Sequence, residues 1–331
     1  MKIAFFSTKS YDRDSFDRFL PETEHTISYF EGKLDLHTLS LAEGHDAVCS
    51  FVNDHIDAAM MKKMAEMKIR LVALRCAGYN QVDLDAAVEN GITIVRVPAY
   101  SPEAVAEHAF ALILTLARKT HKAYNRVREN NFSLEGLTGV NIHGKTIGVI
   151  GTGAIGRAFC LIAKGFGCKI LAHDITENEE MKALGVTYLP LDEVLSNSHI
   201  ISLHCPLMPE TRHMINAETI AKMQTGVALI NTSRGALVET KAVIKALKNK
   251  KIGFLGIDVY EQEENIFFKN LSEEIMQDEQ IARLMTFPNV LVTGHQAFLT
   301  KEALEQIATI TLDNVSAFEA GKQLTNEVKA S

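Results

Sequence analysis

The segment TIGVIGTGAIGR at residues 146–157 constrains the fold more than any other stretch of the chain. An apolar, β-branched run ends on Gly151, and Gly151, Gly153 and Gly156 then fall in a GxGxxG spacing before a helical stretch from Arg157 to Lys164. Gly151 permits a tight turn, Gly153 keeps the main chain bare where a pyrophosphate would approach, and Gly156 lets helix lie close on strand. The start of the helix adds unpaired N–H groups and the positive end of its dipole. Glycines alone would fit any turn, so the context decides. The next apolar run, KILAH, ends at Asp174, where a carboxylate reaches both hydroxyls of an adenosine ribose and repels a 2′-phosphate, favouring NAD over NADP.

Around this loop, short β-branched runs alternate with helical stretches. KIAFFS, DAVCSFV, IRLVALRC and ITIVRVP lie before residue 99, and TIGVIG, KILAHD, HIISLHC, GVALINTS, IGFLGID and NVLVTGH lie after it. The pattern predicts an α/β fold with two doubly wound parallel sheets. Pro102 opens EAVAEHAFALILTLARKTHKAYNRVRE, which has almost no breaker and reads as one long helix, a connector between two lobes. The stretch from Leu299 onward is again helical, and its return to the first lobe would make that lobe discontinuous. Residues 1–100 and 299–331 are therefore assigned to one lobe and 101–298 to the other. The connection from Tyr260 to Met285 is acidic and longer than most strand connections, so a short helix and some function are expected in it.

Composition narrows the partners. A net charge of −7 leaves no basic surplus for a phosphate backbone or an anionic bilayer, so neither nucleic acid nor a membrane surface is expected. Ala109 to Ala117 is too short an apolar run to span a bilayer, and the N-terminus lacks a signal-peptide core. A cytoplasmic location is expected. The five cysteines, never in a CxxC pair, read as free thiols in a reducing compartment. No zinc-ligand spacing occurs among the 12 histidines, so no metal is expected.

In open parallel sheets the ligand lies beyond the carboxyl ends of the strands, and here those ends are polar. His204, Cys205 and Pro206 follow HIISL; Thr232, Ser233 and Arg234 follow VALIN; Asp258 follows GFLGI; His295 follows NVLVTG. Each has a bland reading as a cap, a surface cation or a satisfied loop residue; their joint placement favours a site. Arg234 offers a planar fork that grips a carboxylate with two parallel bonds, which suggests an acid substrate. His295 can carry a proton near neutral pH, as a redox step between C–OH and C=O requires. A loop carboxylate beside it would favour the imidazolium, and spacing alone does not choose among Glu261, Glu263 and Glu264.

GTGAIGR, Asp174, HCPLMPETRHMIN, NTSRGALVE, GIDVYEQE and TGHQAFLT together resemble the D-specific 2-hydroxyacid dehydrogenase family over essentially the whole chain. RCAGYNQVDL, RVPAYSPEAVAEHA and NFSLEGLTGVNIHGKT resemble its fermentative, D-lactate-forming branch in particular. The resemblance implies a Rossmann nucleotide-binding domain inserted into a flavodoxin-like catalytic domain, and a homo-oligomer, dimer or tetramer, built through the nucleotide lobes. It implies Arg234, Glu263 and His295 as the catalytic set, choosing the second glutamate of YEQE. For NAD it implies Gly151, Gly153, Ala154, Ile155, Gly156, Asp174, Cys205, Pro206, Thr211, Thr232, Ser233, Arg234 and Asp258, the last beside the nicotinamide ribose. For the substrate it implies Arg75, the backbone of Ala77 and Gly78, Tyr100, Arg234, His295 and Phe298. Ala154 stands where relatives often carry a larger polar residue. The implied reaction is reversible reduction of pyruvate to D-lactate. A relative acting on a larger 2-oxoacid, or a dinucleotide-sensing interaction protein on the same fold, stays open.

Overall fold

The computed structural model describes residues 1–330, Asn265 by its backbone alone, and divides into two compact units, Met1–Ser101 with Leu299–Ser331, and Pro102–Phe298. In the first unit, β1 (Lys2–Phe5), β2 (Thr26–Tyr29), β3 (Ala47–Ser50), β4 (Leu71–Leu74) and β5 (Thr93–Arg96) form a five-stranded parallel sheet in the order β2-β1-β3-β4-β5. The central strands β3 and β4 are buried at every position, as their unbroken apolar runs require when helices cover both faces. The helix Lys301–Glu319 packs against β4 and β5, with Ile307, Ala308, Leu312 and Val315 buried.

The second unit holds β6 (Thr146–Ile150), β7 (Lys169–His173), β8 (Thr187–Tyr188), β9 (Ile200–Leu203), β10 (Val227–Asn231), β11 (Ile252–Ile257) and β12 (Val290–Val292). They form a seven-stranded parallel sheet in the order β12-β11-β10-β9-β6-β7-β8. The order reverses direction between β6 and β9, the crevice where doubly wound sheets hold nucleotides.

The stretch read as one connecting helix is two, Pro102–Arg118 and Thr120–Arg128, broken at Lys119 with φ of 53°. Val140 N–H donates to the Ala117 carbonyl (3.0 Å), and the Lys119 ammonium donates to the Gly136 carbonyl, so an incoming segment takes the place of the next helical turn. Nor is the longer helix a free connector: Ala109, Phe110, Leu112, Ile113 and Leu116 are buried in the core of the second unit, with Phe110 and Phe159 ring centroids 5.0 Å apart. The acidic connection carries a short 3₁₀ turn at Glu263–Asn265 and the helix Glu279–Met285. No helix among the described residues is long and apolar enough to cross a membrane. The five cysteines are buried free thiols.

Candidate active site

The glycine loop is built as its spacing requires. Gly151 has φ of +91°, and a Cβ there would lie 2.6 Å from the Cys205 amide nitrogen; a Cβ on Gly156 would lie 2.0 Å from the Gly151 carbonyl oxygen. A Cβ on Gly153, by contrast, would meet nothing within 4 Å. Two glycines therefore close the strand–turn–helix joint, and the third, exposed beside the exposed Ala154 and half-buried Ile155, faces open space at the N-terminus of the helix Ala154–Gly165. That is a cradle of the shape and polarity a pyrophosphate needs.

Asp174 ends β7 and accepts hydrogen bonds from the Thr152 amide and from Thr152 Oγ1 (2.9 Å), which tie it to the loop. Burial works to raise its pKa, but these bonds and those from Thr176 and Ile175 outweigh it and hold the carboxyl below the ordinary value, hence ionised. Tyr188 Oη in turn donates to Thr152 Oγ1 (2.9 Å), bracing the pair from β8. Sequence reasoning passed over Thr152; its place inside the glycine motif was the available signal.

Along the same edge, one strand end is fastened to the next. Ser233 Oγ donates to the Cys205 carbonyl (2.7 Å), the Asp258 amide to the Asn231 carbonyl (2.9 Å), and the His295 amide to the Asp258 carbonyl (2.8 Å). Thr211 Oγ1 donates to the Pro206 carbonyl (2.7 Å) and shapes the turn after β9. Thr232 Oγ1 is buried with no partner among the described residues.

Arg234 is half-buried and donates from Nη1 to the Ser233 carbonyl (2.8 Å); no carboxylate among the described residues pairs with it. His295 sits in the left-handed region (φ 56°), a conformation uncommon for a residue with a Cβ. Its Nδ1 lies 2.8 Å from Glu263 Oε1, and Glu263 Oε2 accepts from the Tyr260 amide (2.8 Å). Because a carboxylate only accepts, Nδ1 carries the proton and Nε2 is the atom left for other chemistry. The Phe268 ring lies 5.7 Å from the imidazole. Of the three loop glutamates left open by spacing, Glu261 instead meets His213 (2.6 Å) and Thr240, while Glu263 meets His295.

Three of the strand-end side chains are held by protein partners. His204 points inward: its ring packs 4.7 Å from Phe159, its Nε2 meets Ser202 Oγ (2.9 Å), and burial keeps it neutral, its pKa pushed down to about 3. Arg75 is 1 % exposed, lies between the rings of Phe5 and Phe51, and meets Asp12 at 3.4 Å and the Ser7 carbonyl at 2.9 Å, with only Nη1 lacking a hydrogen-bond partner among the described residues. Its guanidinium is thus held within the core of the first unit by Asp12, the Ser7 carbonyl and two aromatic rings. Asp258, expected beside a ribose, is fully buried and accepts from the Gln296 amide (2.9 Å), the Ala297 amide (2.8 Å) and Thr293 Oγ1, all on the segment that carries His295. Ala77 and Gly78 follow β4, with Arg96 donating to the Ala77 carbonyl (2.7 Å), and Tyr100 follows β5. Phe298 is buried at the end of the second unit.

Residues 110–297 match the family described as D-isomer specific 2-hydroxyacid dehydrogenase, NAD binding domain, so the second unit is an NAD-binding domain and the chain an NAD-dependent oxidoreductase. A 2-hydroxyacid dehydrogenase homolog of Haemophilus influenzae is 52% identical over 331 residues, 100% of both chains. The D-lactate dehydrogenase of Escherichia coli K12 is 49% identical over 328 residues, 99% of this chain and 100% of that one. A structure of the pyruvate reductase of Chlamydomonas reinhardtii superposes with a TM-score of 0.94 at 46% identity, over 98% of each chain. The chain belongs to the D-isomer specific 2-hydroxyacid dehydrogenase family. Its substrates are accordingly 2-oxoacids and 2-hydroxyacids.

Proposed function

We propose that this chain interconverts pyruvate and D-lactate, with Arg234, Glu263 and His295 as its catalytic residues. The observation that carries the proposal is the His295–Glu263 pair (2.8 Å) on the sheet edge that also holds a guanidinium with no carboxylate partner among the described residues. NADH, when bound, supplies the hydride. Gly153, Ala154 and Ile155 would hold its pyrophosphate, Asp174 its adenosine ribose, and Cys205, Pro206, Thr232 and Ser233 would line the stretch between.

Arg234 grips the substrate carboxylate with its fork and so fixes the direction of the carbonyl. His295, as imidazolium with Nδ1–H on Glu263, donates from Nε2 to the carbonyl oxygen, offsets the negative charge developing there, and hands over its proton. Pyruvate, NADH and one proton become D-lactate and NAD⁺; in reverse, neutral Nε2 takes the hydroxyl proton. Asp258 acts through the segment that carries His295.

The test is NADH oxidation across a panel of 2-oxoacids with chiral analysis of the product. Highest kcat/KM on pyruvate with D-lactate formed is expected. A higher value on glyoxylate, hydroxypyruvate or a bulkier 2-oxoacid would reassign the substrate. No oxidation with any of them would favour a dinucleotide-sensing role.

The same reading makes the chain a homo-oligomer joined through the second unit. Phe132 and Leu134 are 71% and 81% exposed there, beside Tyr124 at 63%, more apolar surface in one stretch than a lone chain usually leaves in water. Light scattering that gives a single-chain mass would overturn this part.

A further inference from the structure

Outside the residues assigned above, the ionisable side chain of His108 touches the segment that carries His295. His108 lies on the helix Pro102–Arg118, and its side chain is 17% exposed. Its Nε2 is 3.0 Å from Thr293 Oγ1 and 3.4 Å from Asp258 Oδ1. Thr293 has a single hydroxyl proton, and Asp258 takes it, because an ionised carboxylate only accepts. The Thr293 oxygen can then only accept from His108, so Nε2 carries a proton and the chain of bonds runs one way, from His108 through Thr293 to Asp258. Burial works to raise the Asp258 pKa, but bonds from His108, Thr293, Ala297 and Gln296 outweigh it and keep the carboxyl ionised. The same carboxylate and its own carbonyl fix the amides of His295, Gln296 and Ala297.

We propose that His108 is a positioning residue: by donating to Thr293 and Asp258 it holds residues 293–297 so that the His295 imidazole stays on Glu263 despite its left-handed backbone. This rests on the acid–base role given to His295 for its effect on turnover, and not for its effect on geometry.

The experiment compares His108→Leu, which cannot donate, with His108→Gln, whose amide can. Two readouts are taken on the full chain: steady-state kinetics with the best 2-oxoacid of the panel, and the NMR shift of the His295 Cε1–H at fixed pH, assigned by its loss in His295→Ala. His108→Leu should lower kcat about tenfold with KM for NADH little changed and should move the His295 resonance; His108→Gln should restore most of both. An unmoved resonance in His108→Leu overturns the proposal, whatever the turnover. Equal losses in both variants overturn it in favour of plain packing. A moved resonance restored by glutamine, in a protein that reduces no 2-oxoacid, upholds the positioning and discards the catalytic reading instead.

Discussion

Arg75 and Arg234 occupy the same kind of place. Each follows a parallel strand at the carboxyl edge of its sheet, Arg75 directly after β4 and Arg234 just past β10. In the first unit Asp12 and two phenylalanine rings enclose the guanidinium until it is 1% exposed. In the second, Arg234 stays half-buried, donates to the Ser233 carbonyl and meets no carboxylate among the described residues. Topology delivers polar side chains to a sheet edge; what surrounds each one there decides whether it stabilises the fold or meets a ligand.

Substitutions can break that comparison. His295→Ala on the Arg234 edge should lower kcat for pyruvate by on the order of 10²- to 10⁴-fold, the span of general acid–base contributions; turnover within a few-fold of normal would remove the imidazole from the chemistry. Arg75→Ala should cost about 3–5 kcal/mol of stability in denaturant unfolding, because it strands a buried Asp12. The molecules that remain folded should bind pyruvate normally, and a raised KM would put Arg75 back at the substrate. Arg234→Lys should do the reverse, raising KM for pyruvate about tenfold or more with NADH affinity and the melting temperature unchanged, since an ammonium cannot reproduce two parallel bonds.

The effect that is smallest at neutral pH concerns His204. Its pKa falls from 6.5 to about 3 in the folded chain through burial, so below 6.5 the unfolded chain binds a proton that the folded one refuses. The fold should therefore lose stability as pH drops from 6.5 toward 3 and be indifferent to this group above 6.5. His204→Phe should flatten the melting temperature over that range; an unchanged slope would mean the ring titrates freely.

What the sequence reveals follows from burial. Strands β3, β4, β9 and β10 are covered on both faces and read as continuous apolar runs. The strands β2 and β8, half-exposed edges of four and two residues, carry no such run and escape notice. The break at Lys119 is equally silent, because its cause is Val140 reaching the Ala117 carbonyl and not a glycine or proline in the helix. At the proposed site, residue types and strand ends point to Arg234, His295 and the glycine loop. Partners distant in sequence do not declare themselves: Asp12 is 63 positions from Arg75, and Thr293 is 185 from His108.

The segment bearing His295 leaves β12, a three-residue strand at the sheet margin whose residues are only half-buried. Margins of sheets are where hydrogen bonds open first. Asp258 counters this from within, since four amides or hydroxyls of residues 293–297 converge on it, at its carbonyl and its carboxylate. Amide exchange should consequently be slow at His295, Gln296 and Ala297, in step with interior β11 and out of step with β12 itself, making the segment a rigid rim bolted to a fraying border.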